Sequence, residues 1–222
     1  MDDTLLNDWL AFGYDPGGNR KHGVAALRIH AGAPVAFDLS TTPTVEAAIG
    51  WFASKMNGTS RVALGADTLT VWSTGPSGWR PADTKLKTVY PAASNSVASS
   101  NSLYGAMSVN GMMLAAALRQ RSPELIISET HPKVLHYALT STLYDFQTSA
   151  GPMIATLVSW IGIAGPTPAN DHEWDALASS FAVYQGISGR WTSDLHTLPV
   201  TAGETLVWPV GNTRFFWPDL PR

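Results

Sequence analysis

Leu10-Ala11-Phe12-Gly13-Tyr14-Asp15-Pro16-Gly17-Gly18-Asn19 is the stretch on which the fold turns. An apolar run from Leu10 to Tyr14 ends on a carboxylate, and Pro16-Gly17-Gly18-Asn19 then swings the chain into a second apolar run, Gly23 to Ile29. Pro presets one backbone angle of a tight turn and Gly accepts the conformations other residues resist, so the segment reads as strand, turn, strand. Pro34 to Leu39 offers a third strand. Thr44 to Asn57 places Val45, Ile49, Phe52 and Met56 at the spacing of an amphipathic helix, stopped by Gly58.

Outward from that start, Arg61 to Ala66 is a fourth apolar strand running into Asp67, and Glu124 to Ser128 a fifth ending at Glu129. Val109 to Arg121, Met153 to Ile163 and Asp171 to Tyr184 have helical patterns, the last opening on Asn170-Asp171, whose side-chain oxygens can cap free amides. Ala92 to Ser102, rich in Ser and Asn, reads as an exposed loop and a candidate mobile flap. From Gly189 the chain is rich in Trp and Pro, and either adds strands or forms a packed arm.

With 222 residues, 45% of them hydrophobic, the chain can bury one substantial core. We expect one α/β domain over 1–222, a core of about 9–187 and a Trp/Pro-rich extension over 190–222. Cysteine is absent, which excludes disulfides and thiolate zinc sites and points to a reducing compartment, the cytoplasm being the expected one. Met1 leads into Asp2 and Asp3, with no basic and apolar leader visible. Gly151 to Gly165, bracketed by Pro152 and Pro166, is too short for a bilayer and reads as a buried helix, so no membrane partner is expected. A net charge of −3 without a Lys/Arg run weighs against tight, generic duplex binding. It leaves room for an enzyme of short or unusual nucleic acids, because bound metal brings positive charge that a residue count omits. The oligomeric state is not legible.

Asp15, Asp67 and Glu129 all stand where strands end and loops begin, the part of an open α/β sheet where functional groups gather. Hard cations such as Mg2+ or Mn2+ take oxygen ligands, and converging carboxylates suit phosphoryl transfer. Their mutual repulsion should raise some of their pKa values, so metal should bind better as pH rises. Asp171 and Asp175, four apart in Asp171-His172-Glu173-Trp174-Asp175-Ala176, share one helical face, with His172 three before Asp175. Plainer readings stand beside these. Asp15 and Asp67 also fit as turn residues bonding their own backbone, Asp171 as a helix cap, and His131 as a packed loop histidine.

In their order along the chain, these segments resemble the predicted ribonuclease H-like nuclease family, a domain of unknown function related to Holliday-junction resolvases. Gly13-Tyr14-Asp15-Pro16-Gly17-Gly18 is similar to its first-strand turn. Leu64-Gly65-Ala66-Asp67-Thr68-Leu69 resembles its second acidic segment, with Thr68 departing from the usual pattern before Pro. Trp79 to Leu86, holding Arg80 and Asp83, resembles its Arg-x-x-Asp-x-x-Leu element, Ser128-Glu129-Thr130-His131-Pro132 its Glu-x-His-Pro element, and Asp171 to Leu177 its closing acidic helix. The resemblance covers about 9–187.

It implies a ribonuclease H-like fold: a mixed five-stranded sheet, its first three strands an antiparallel meander, flanked by helices. It also implies Asp15, Glu129 and Asp175 as metal ligands for Mg2+ or Mn2+, Asp67 and Asp171 as supporting catalytic carboxylates, and nucleic acid as substrate. Arg80 and His131 are candidates for substrate binding; Arg80 could clamp a phosphate, or simply pair with Asp83. Two other functions compete. The Asp15-to-Asn19 turn also looks like the phosphate-binding turn of actin-like ATPases and sugar kinases, and the Trp-rich end with Trp191, Trp208 and Trp217 also fits a non-catalytic interaction module.

Overall fold

The computed structural model describes residues 8–56 and 61–219. Its centre is a mixed five-stranded sheet. β1 (Trp9–Pro16), β2 (His22–His30) and β3 (Ala33–Thr42) form an antiparallel meander, and β4 (Arg61–Ala66) and β5 (Ile126–Glu129) extend it in parallel on the other side of β1, giving the order β3-β2-β1-β4-β5. Leu10 to Gly17 are all buried, as expected of a central strand covered on both faces.

The two faces carry different side chains because alternate residues of a strand point opposite ways. On one face Phe12, Tyr14, Val24, Val62 and Leu64 join a core closed by α1 (Val45–Lys55) and α3 (Gly105–Arg121). On the other face stand Ala11, Ala25 and Ala63, with glycines at 13, 23 and 65, covered by α6 (Asp171–Ile187). A Cβ at Gly23, Gly13 or Gly65 would lie 1.9, 1.7 or 2.1 Å from the carbonyl oxygen of His172, Ala176 or Ser179. These helix positions are spaced four and three apart, so one backbone stripe of α6 rests directly on β2, β1 and β4 in turn. The close approach fixes the height and direction of the helix over the strand ends.

α2 (Pro81–Val89), α4 (Pro132–Thr140) and α5 (Phe146–Ile161) complete the covering on the α6 side. Two of these, α2 and α4, are nine-residue helices starting on a proline that the apolar periodicity did not mark. Pro132 and Pro81 fit there because the first helical position needs no backbone donor. α5 starts at Phe146 with Asp145 capping it, and keeps Pro152 inside by departing from helical angles at Ser149. It buries Met153, Leu157 and Ile161 and leaves other positions partly open, so the expectation of a fully buried helix is corrected to an amphipathic one. Among the described residues no helix is long and apolar enough to cross a membrane.

Thr44 caps α1 by accepting from the Ala47 amide, in agreement with the helix read from that position; the expected stop at Gly58 and the acidic start at Asp2 and Asp3 lie outside the described residues. The Ser/Asn stretch is not an exposed flap. Pro91 to Ser96 form a 3-10 turn, Ala93 and Val97 enter the core, and Ser99 and Ser100 are buried in a network of serine hydrogen bonds. The Trp/Pro-rich end does both things expected of it. It adds short pairs, β6 (Trp72–Ser73) with β8 (Leu206–Val207) and β7 (Ser193–Asp194) with β9 (Phe216–Trp217), and it packs as an arm along β5, where Arg214 exchanges backbone hydrogen bonds with Ile127 and Glu129. Trp191 and Trp217 are buried, while Trp208 is 37% exposed.

Candidate functional site

The parallel strands set the site. Gly13 is paired with Gly65 and Tyr14 with Ala66, while Ala66 is paired with Glu129, so β1, β4 and β5 end side by side. The Asp67 amide donates to the Tyr14 carbonyl at 2.9 Å and the Thr130 amide to the Ala66 carbonyl at 2.9 Å, which holds the first loop residues against neighbouring strands. Asp15, Asp67 and Glu129 therefore leave the sheet at one end. α6, seated on the three glycines, brings Asp175 there.

Asp15, Asp67 and Asp175 form an electrostatically connected acidic group. Burial is the largest influence on Asp67 and pushes its carboxyl up to about 8, with Asp15 and Glu129 adding repulsion and Lys133 opposing it. Asp175 is raised well above the usual carboxylate range, again first by burial, then by Asp15 and Asp67. Among the described residues its buried Oδ1 and the Tyr144 hydroxyl have no partner at full hydrogen-bond geometry, although the two lie near enough for Tyr144 to favour the charged carboxylate. Asp15 is buried and accepts from, or shares a proton with, His172, whose Nδ1 stands 2.5 Å from Oδ2. That hydrogen bond raises the His172 pKa. Asp171, the first residue of α6, has its side chain about half exposed, and the helix is capped by Asn170, which accepts from the Glu173 amide at 3.0 Å.

Glu129 belongs to a different arrangement. Its Oε1 accepts from Arg80 Nη2 at 2.6 Å, and its Oε2 accepts from Arg80 Nη1 at 2.7 Å and the Thr70 amide at 2.8 Å. Burial alone would push its carboxyl up, but Arg80 and His196 outweigh that and hold it at about 2. Arg80 also donates to both Asp83 oxygens and, from Nη1, to the Val71 carbonyl at 2.9 Å. A guanidinium has five N–H groups and all five are engaged, so the expected phosphate clamp at Arg80 has no donor to work with. Its pairing with Asp83, the plainer alternative, is present, although buried rather than on the surface.

His131, the other expected substrate-binding residue, lines a cavity of about 220 Å3 beside Asp67. Its Nε2 is 3.1 Å from the Ser96 carbonyl, and burial pushes its pKa down to about 4. In the Asp15-to-Asn19 turn the Gly17 amide donates to the Asp15 carbonyl, and just beyond it the Arg20 and Lys21 amides donate to the Pro43 and Gly18 carbonyls. Sequence reasoning did not identify Tyr144 or Lys133, which no motif contains, nor the pairing of His172 with Asp15 across 157 positions.

Among the described residues, no three Asp, Glu or His side chains converge closely enough as they stand to hold a metal ion. Of the expected ligands, Asp15 and Asp175 share the acidic group and Glu129 is committed to Arg80. Comparison of the chain with protein-family models, with curated proteins and with solved structures gave no match in any of the three.

Proposed function

We propose that this chain is a metal-dependent nuclease of the ribonuclease H-like type, with Asp15, Asp67 and Asp175 as its working carboxylates and nucleic acid as its substrate. The observation that carries the reading is the buried Asp175, raised by burial and by the charges of Asp15 and Asp67, whose Oδ1 has no partner at full hydrogen-bond geometry among the described residues. A buried acid in such company is costly unless neutralised or matched by a cation, and an all-oxygen donor set suits Mg2+ or Mn2+. The order of the sheet, with its meander and two parallel strands ending at the acids, also fits what the resemblance implies.

Asp15, Asp67 and Asp175 would hold the ion after rotation of their side chains, with Asp171 at the rim. When bound, the ion supplies Lewis-acid activation of water and of the phosphodiester. The protein's own groups have distinct tasks. His172 orients the Asp15 carboxylate and holds a proton at Nδ1, Tyr144 brings its hydroxyl to Asp175, and the Arg80–Glu129 pair fixes the end of β5. Glu129 is thereby an anchor of the site rather than a ligand.

The test is cleavage by the full chain of branched, single-stranded and RNA–DNA hybrid substrates with Mn2+. Asp15→Ala should retain the parent's circular dichroism and lose at least a hundredfold in rate. A variant that cuts the same panel as fast as the parent would end this reading.

A further inference from the structure

We propose that a single nucleic-acid strand lies across the ends of β1, β4 and β5, its phosphates gripped by Arg20 and Lys21 on one side of the acidic group and by Lys133 on the other. The inference rests on the nuclease reading for its substrate class and adds which residues hold the substrate and how it crosses the sheet.

Topology puts these cations in one row. Pro16 is paired with His22, so the turn between β1 and β2, with Arg20 and Lys21, leaves the sheet at the same end as Asp15. Lys133 follows β5, which ends beside β4. From β2 to β5 the order is β2-β1-β4-β5, and three steps of about 4.8 Å set the flanks about 14 Å apart, with Asp15 and Asp67 between them. At about 3.4 Å per stacked nucleotide, about four nucleotides cover that distance.

Electrostatic contacts agree with this placement. Lys21 is near enough to His172 to oppose its protonation, and Lys133 near enough to Asp67 and Asp175 to favour their charged forms, each a weaker influence than the hydrogen bond or burial that dominates there. His172 in turn meets Asp15. Lys133 also lines the cavity beside Asp67, its ammonium over the Tyr144 ring at 5.3 Å.

None of the three cations has an ion pair or a side-chain hydrogen bond among the described residues, whereas Lys55, Arg80 and Arg214 are tied to carboxylates. Arg20 and Lys21 are exposed on a turn of fixed shape: Arg20 sits in the left-handed region at φ 59°, and its amide is held by the Pro43 carbonyl at 3.1 Å. On a chain of net charge −3, unmatched cations on both sides of an acidic site are where phosphates gain most. They form a row rather than a broad patch, which serves one backbone and not the two of a duplex.

The experiment measures binding of a labelled oligothymidylate to the full chain by fluorescence anisotropy, in EDTA so that no cleavage intervenes, over a range of NaCl. Arg20→Gln combined with Lys21→Gln should reduce the slope of log affinity against log salt by about 1.4, and Lys133→Gln by about 0.7, the share of one contact to a single strand being about 0.7. Each lost charge should weaken binding about three- to tenfold at low salt. Lys133→Arg should keep the parent's slope. Lys85→Gln, in the groove between α2 and the C-terminal arm, should change neither slope nor affinity. A methylphosphonate strand of the same bases, lacking backbone charge, should bind about tenfold more weakly or worse. Circular dichroism confirms that each variant is folded. No binding by the parent, slopes unchanged by the substitutions, an equal loss in Lys85→Gln, or a matching duplex bound more tightly than the strand overturns the row.

Binding that depends on these cations without Mn2+-dependent cleavage would remove the nuclease reading alone. Asp15-dependent cleavage with slopes untouched by the substitutions would remove the row alone.

Discussion

Glu129 with Asp83 and Asp15 with Asp67 and Asp175 are two acidic groups at the same end of one sheet, and they differ in how far their charge is matched. The first pair encloses a guanidinium whose five donors are all spent; Glu129 is held at about 2, while burial raises Asp83 against the pull of Arg80. The second group has His172 on one member and Lys133 at a distance, and two of its three carboxyls are raised. Shifted carboxyls gather where a ligand is to complete them, and on the proposed reading the contrast sets a structural cluster apart from the candidate site.

The largest effect tests the satisfied half. Arg80→Met should cost about 3–5 kcal/mol in urea unfolding, because it leaves two buried carboxylates without their partner. A loss under 1 kcal/mol would mean that the pair is dispensable and the contrast overstated. Next comes the surface on which the other half is built. Gly13→Ala puts a Cβ 1.7 Å from the Ala176 carbonyl oxygen, so α6 must lift, at a cost of about 1–3 kcal/mol. The same variant should weaken Mn2+ binding, since Asp175 moves with the helix.

A smaller and more diagnostic effect is in the pH dependence. The folded Asp67 carboxyl, raised to about 8, holds its proton more tightly than the unfolded one near 3.8. Its contribution to stability is therefore complete below about pH 4 and is lost as pH rises through about 8. Glu129 has the opposite sign: its contribution is complete above its ordinary value of 4.5 and is lost as pH falls toward about 2. Asp67→Asn should flatten the alkaline decline in urea midpoints and leave the acid limb alone; an unchanged decline would show that Asp67 is not the responsible group. Smallest of these, Asn170→Ala should cost about 1 kcal/mol by removing the cap of α6, measured by thermal unfolding.

What could be read in the sequence follows the distance over which each feature is encoded. The meander is local: apolar runs joined by Pro-Gly-Gly-Asn and short turns identify β1 to β3, and the carboxylates within the end of β1 and just after β4 fall there because both apolar runs stop. The start of α6 was legible through Asn170. α2 and α4 were not, because nine residues give little periodicity, although Pro81 and Pro132 at their first positions were usable signals. The serine stretch looked solvated by composition, yet its hydroxyls satisfy one another and allow burial.

The division of the acids was beyond any local pattern. Arg80 meets Glu129 across 49 positions and His172 meets Asp15 across 157, so a sequence that shows acids at strand ends does not show which already have partners. Asp171 and Asp175 share a helical face by spacing, but α6 crosses the sheet from β2 toward β4, which buries Asp175 and leaves Asp171 at the margin.

The most direct measurement is calorimetric titration of the full chain with Mn2+ at pH 8 and pH 6, in buffers of different ionisation enthalpy. The account predicts saturable binding, tighter at pH 8, with proton release at pH 6 that disappears in Asp175→Asn, while Glu129→Gln, provided it folds, still binds. Absence of binding by the parent at either pH, or binding untouched by Asp175→Asn, would contradict it.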